Sequence, residues 1–83
     1  MYDCLITFRS VMPAQRAERI LLAEKILCTV GRTPKWMESQ GCGYCLRLSC
    51  GKVPRAVELI NENGISYRKL YRQIGGRMEE MHL

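Results

Sequence analysis

Two sets of apolar residues at helical spacing, each flanked by stretches of strand-like alternation, constrain this chain more than any other feature. Val53, Ala56, Val57 and Ile60 recur at i, i+3, i+4 and i+7, the spacing of one helix face. Just before them, Tyr44, Leu46 and Leu48 alternate with Cys45, Arg47 and Ser49, as in a strand. The first half repeats the pattern. Residues 2–8 alternate, with Cys4, Ile6 and Phe8 on one face. Ala14, Ala17, Ile20 and Leu21 then form a helical stripe that runs to about Glu24. Ser10 is a good N-cap for that helix, and Pro13 is tolerable in its first turn, where N–H groups lack intrahelical partners.

Cys28 and Val30 mark a second short strand, and residues 31–43 form a long connection. Gly51 and Pro54 open the second helix, and Asn63-Gly64 is a stop signal at its end. Residues 65–72 read as a fourth strand, and 74–83, with Gly75-Gly76 and no periodicity, as a tail. The order β-α-β-β-α-β predicts an α+β, ferredoxin-like domain over residues 1–73. Its four antiparallel strands should carry both helices on one face. The other face should be solvated and basic, with Arg47 and some of Arg68, Lys69 and Arg72 on it.

The 83 residues suffice for one small domain with a thin margin of core. A net charge of +5 permits nucleic acid or an acidic protein as partner without requiring either. No apolar run approaches the roughly 20 residues that span a bilayer, so no membrane segment is expected. The opening Met1-Tyr2-Asp3-Cys4 lacks a basic region and a cleavage site, so no signal peptide is expected. Cys4, Cys28, Cys42, Cys45 and Cys50 are odd in number and irregular in spacing, a poor disulfide framework. A cytoplasmic setting fits them better, with most acting as small apolar side chains.

Cys42 is the candidate for chemistry. It stands in Gly41-Cys42-Gly43-Tyr44-Cys45, after the basic turn Arg32-Thr33-Pro34-Lys35. Gly41 and Gly43 leave the thiol accessible, and nearby cations favour the thiolate, the attacking form. The competing reading is a half-buried loop cysteine without chemistry. Cys42-Gly-Tyr-Cys45 is also a C-x-x-C, as in redox pairs or half of a metal site. Strand alternation begins at Tyr44, however, so Cys45 and Cys42 should lean to opposite faces. No second C-x-x-C is present, and His82 is the only histidine, so neither a metal nor another cofactor is expected. The strand Gly43-Tyr44-Cys45-Leu46-Arg47-Leu48 matches the RNA-binding pattern only at its Gly-aromatic pair, so nucleic acid is not favoured. Trp36 and Met37 fit either packing over the sheet end or a partner contact. No histidine base, carboxylate pair or phosphate loop points to a turnover enzyme.

Several residues together resemble a known family: Tyr2, Leu5-Ile6-Thr7-Phe8-Arg9-Ser10, Ala14, Ala17-Glu18, Thr33-Pro34-Lys35, Cys42-Gly43, Leu46-Arg47 and Tyr71. The chain resembles the selenium/sulfur (Se/S) carrier protein-like family, a group of small bacterial domains, over about residues 2–72. The resemblance implies that Cys42, next to Gly43, carries sulfur or selenium as a persulfide-type adduct. It implies donor and acceptor proteins as partners. The family's turn usually carries Pro-x-Pro-Arg, where this chain has Arg32 and Lys35 at the outer positions. Charge is kept, but lysine lacks arginine's planar fork. The extra Cys45 departs from the family pattern and gives Cys42 a second thiol as an alternative disulfide partner. The expected function is a thiol-based carrier, with Arg32, Lys35 and Arg47 stabilising the anion. The alternative is a non-catalytic interaction domain that docks a protein, or pairs with a second copy, through its open sheet face or edge.

Overall fold

The computed structural model describes residues 3–32 and 43–81. Strand β1 spans Cys4–Phe8, helix α1 Val11–Ala23, β2 Cys28–Arg32 and β3 Tyr44–Leu48. A 3-10 turn, Cys50–Lys52, leads into α2, Val53–Glu62, followed by β4, Leu70–Ile74, and β5, Arg77–Met81. The strands form one sheet in the order β2-β3-β1-β4-β5, with every neighbouring pair antiparallel.

Helical periodicity places the core. Ala14, Ala17 and Leu21 of α1 and Val53, Ala56, Val57 and Ile60 of α2 join Ile6, Phe8, Leu46 and Leu48 in one apolar cluster. Both helices therefore lie on the same face of the sheet. Burial on α2 follows its stripe, with Leu59 added. Ala14 and Ala17, the small residues of the α1 stripe, are fully buried in that cluster.

Two features differ from expectation: the fourth strand begins late, and a fifth strand is present where four were expected. First, the segment read as strand from residue 65 becomes regular only at Leu70. Arg68 N–H donates to the Thr7 carbonyl at 2.7 Å, while Thr7 N–H donates to the Lys69 carbonyl at 2.9 Å. Two residues thus face one, as in a β-bulge, and the Thr7 hydroxyl accepts the extra N–H of Lys69 at 3.0 Å. Second, residues 77–81, read as part of a tail, form β5 against β4. Gly75 and Gly76 have φ of 53° and 86°, the two positive angles that a tight hairpin needs. A Gly-Gly pair between two short runs is itself a hairpin signal. It is masked here by the charged residues of Arg77–Met81, which suit an edge strand.

The face away from the helices is not simply solvated. Arg47 and Thr29 are exposed there, but Leu5, Thr7 and Cys45 are buried. Leu5 stands in register between Arg47 and Tyr71. Of the basic residues expected on this face, Lys69 is offset by Glu80, 3.8 Å away.

The Asn63-Gly64 stop forms as the sequence implies. Gly64 has φ of 69°, and Ile65 N–H donates to the Ile60 carbonyl at 3.0 Å. A Cβ at Gly64 would meet nothing within 4 Å, so substitution there tests backbone strain alone. Gly64→Ala should lower stability by about 1 kcal/mol in urea unfolding. An unchanged midpoint would mean that the turn relaxes without strain.

Candidate functional site

Strand β2 ends at Arg32, and β3 begins at Tyr44, directly after Gly43. Strands β2 and β3 pair along their length, from Cys28 opposite Leu48 to Arg32 opposite Tyr44. The two ends of the connection are thereby held side by side. The Arg32 guanidinium lies over the Tyr44 ring, 5.7 Å from its centroid, a cation–π arrangement that orients an otherwise exposed side chain. Tyr44 in turn pairs with Phe8 of β1 and packs against the core. Gly43, one residue earlier, is buried.

The sequence-derived site residues separate into three groups. Arg32 and Gly43 come together at one end of the sheet. Arg47 lies four residues further along β3, roughly 13 Å by strand rise, exposed beside Leu5 and Thr29. Cys42 and Lys35 lie outside the described residues, as do Gly41, Trp36, Met37 and His82. Among the described residues, no group of three metal-ligating side chains forms.

Two cysteines correct the expectation of separate apolar thiols. Cys4 and Cys50 form a disulfide with Cα atoms 5.1 Å apart, spanning a sequence separation of 46. The register explains the pairing. Cys4 opposes Leu48, and the chain turns immediately after β3 into the 3-10 turn that begins at Cys50. Cys50 N–H also donates to an Asp3 carboxylate oxygen at 3.1 Å. Cys4 is fully buried, whereas Cys50 is half-buried. Spacing alone carried no sign of this bridge, because its partners meet only through the β1–β3 register. The bridge lies at the opposite end of β3 from Gly43.

Cys28 and Cys45 are buried thiols. Cys45 sits opposite Thr7 and Gly31, on the face away from the core-packed Tyr44 and Leu46. Cys28 is near the Glu18 carbonyl, 3.9 Å from its sulfur. Burial, with a smaller contribution from the Glu18 charge, pushes its pKa from 9.0 up to about 11. The folded state therefore holds this proton longer than the unfolded chain does. The associated stability is intact below about pH 9 and is lost as pH rises towards about 11. Wild-type protein should lose more stability than Cys28→Val across that window in parallel urea titrations. Equal losses would assign the pH dependence to other groups.

No helix of the described residues is long and apolar enough to cross a membrane. A family model described as "Putative Se/S carrier protein-like" matches residues 3–72. Neither a curated protein nor a solved structure matches the chain.

Proposed function

We propose, from the premise that the chain belongs to the Se/S carrier protein-like family, that it carries sulfur or selenium on Cys42. The family match over residues 3–72 is the observation that carries this reading. The pairing of Arg32 with Tyr44 supports it, because it holds a guanidinium beside the strand that begins one residue after Gly43. In the proposed step, the Cys42 thiolate attacks the outer sulfur of a donor persulfide. A new S–S bond forms on Cys42, the donor S–S bond breaks, and the donor leaves as a thiolate. The exchange involves no net oxidation. Transfer to an acceptor thiolate repeats it in reverse. Arg32 and Lys35 stabilise the anion before attack, and Arg47 contributes as a more distant positive charge. Donor and acceptor proteins are the partners, and the chain acts as a carrier rather than as an enzyme that turns over a substrate.

The domain is read as a ferredoxin-like unit with one added edge strand. What supports this is the internal order β2-β3-β1-β4, with β5 appended beside β4. The proposed setting is cytoplasmic, where a disulfide such as Cys4–Cys50 is usually transient.

The test is intact mass after incubation with a small-molecule persulfide, followed by peptide mapping. Wild-type protein should gain one sulfur on Cys42, released by dithiothreitol, and Cys42→Ser should gain none. Arg32→Ala should load more slowly, with the Cys42 pKa raised by roughly half a unit to one unit. Loading that persists in Cys42→Ser would remove Cys42 as the acceptor. No loading in wild type would leave the interaction-domain reading in the lead.

A further inference from the structure

We infer that a second site, on the helix side of the sheet, binds a phosphate group. The binding would be independent of any sulfur on Cys42. A cavity of about 290 Å³ opens between the start of α1 and the connection from α2 to β4. Arg9, Arg16 and Arg68 line it, together with Ser10, Ser66 and Tyr67, and no acidic residue does. The Arg9 and Arg16 guanidiniums bring two like charges to one small cavity, a repulsion that an anion between them would relieve. Among the described residues, Arg9 and Arg16 enter no ion pair, although the chain forms several elsewhere.

The local backbone adds to the positive field. Ser10 is the N-cap of the 13-residue α1, yet its hydroxyl makes no cap hydrogen bond, and the first turn has no acidic residue. The first helical N–H groups and the Ser10 hydroxyl are thus available beside the arginines. The bulge opposite Thr7 supplies the third side, since Arg68 is its first residue.

The chemistry of the lining selects the ligand. Guanidinium forks match the oxygens of phosphate in pairs, and two of them beside a helix start suit a dianion better than a single carboxylate. The volume is at the small end of ligand clefts, which suits a small phosphorylated molecule. Pro13 and Ile65 contribute apolar lining that suits a short carbon skeleton. The ligand is therefore free phosphate or the phosphate of a small phosphomonoester. The cavity lies at the same end of the sheet as Arg32 and Gly43, because Arg9 follows Phe8, which pairs with Tyr44.

The test is amide chemical-shift titration of the labelled protein with inorganic phosphate, at constant ionic strength balanced with chloride. Saturable shifts should be confined to residues 9–16 and 64–68. Arg9→Gln and Arg16→Gln should each weaken binding by about fivefold. Arg19→Gln, on α1 but outside the cavity, should leave it unchanged. A parallel titration with glycerol phosphate separates the two sources. Tighter binding of the ester assigns a phosphorylated small molecule, and equal or weaker binding assigns the free ion. Shifts that stay linear, that spread over Arg72 and Arg77, or that survive the double variant Arg9→Gln/Arg16→Gln would overturn the site. All these side chains are exposed, and circular dichroism would verify that each variant is folded.

Discussion

Cys50→Ala should lower the unfolding free energy by about 2–4 kcal/mol, as should reduction of the wild-type protein. The Cys4–Cys50 bridge closes a loop with a sequence separation of 46. Chain-entropy arguments put the denatured-state constraint of such a loop at about 4 kcal/mol, and native-state adjustment commonly trims it. A domain of this length has roughly 4–12 kcal/mol of stability in all. The loss would therefore be a large fraction of the total. The bridge also ties the start of β1 to the entry of α2, and Gln73 N–H donates to the neighbouring Asp3 carbonyl at 2.9 Å. Urea unfolding of wild type with and without dithiothreitol measures the effect. Cys50→Ala should no longer respond to the reductant. A wild-type curve that ignores reductant would mean that the bridge does not contribute in solution.

In the folded, reduced protein, Cys42 should react with iodoacetamide at least roughly tenfold faster than Cys28. The raised pKa of Cys28, about 11 against 9.0, leaves it with about a hundredfold less thiolate near neutral pH. Part of that deficit is recovered, because a more basic thiolate is a better nucleophile, so ionisation alone leaves about a tenfold difference. Burial at 7% exposure slows Cys28 further. Brief labelling followed by peptide mapping gives the order. Labelling of Cys28 before Cys42 would remove the accessibility argument for Cys42. In unreduced protein, the bonded sulfurs of Cys4 and Cys50 should not label at all.

Cys28 also shows where sequence reasoning works. Its place on the core side of a strand follows from alternation, and its inertness follows from burial. The same holds for both helical stripes, for the Asn63-Gly64 stop and for the strand that begins at Tyr44. In each case the determining interaction lies within a few residues, so periodicity and turn chemistry are enough to read it. The relation of Arg32 to Gly43 was also legible, as a consequence of pairing the two strands around the long connection.

Other features depend on residues far apart in the chain. Five cysteines at irregular spacing gave no connectivity, and only the β1–β3 register brings Cys50 to Cys4. The late start of β4 depends on a bulge formed against Thr7, a residue more than sixty positions earlier. The arginine-lined cavity joins Arg9 and Arg16 to Arg68, a residue that the sequence alone leaves among several candidates for the open face. Local sequence determined the elements, their order and their apolar faces, because hydrophobic burial acts through short repeating patterns. Tertiary structure decided which sulfurs meet, where the sheet ends and where positive charge converges, because those outcomes depend on strand register and on chain reversals.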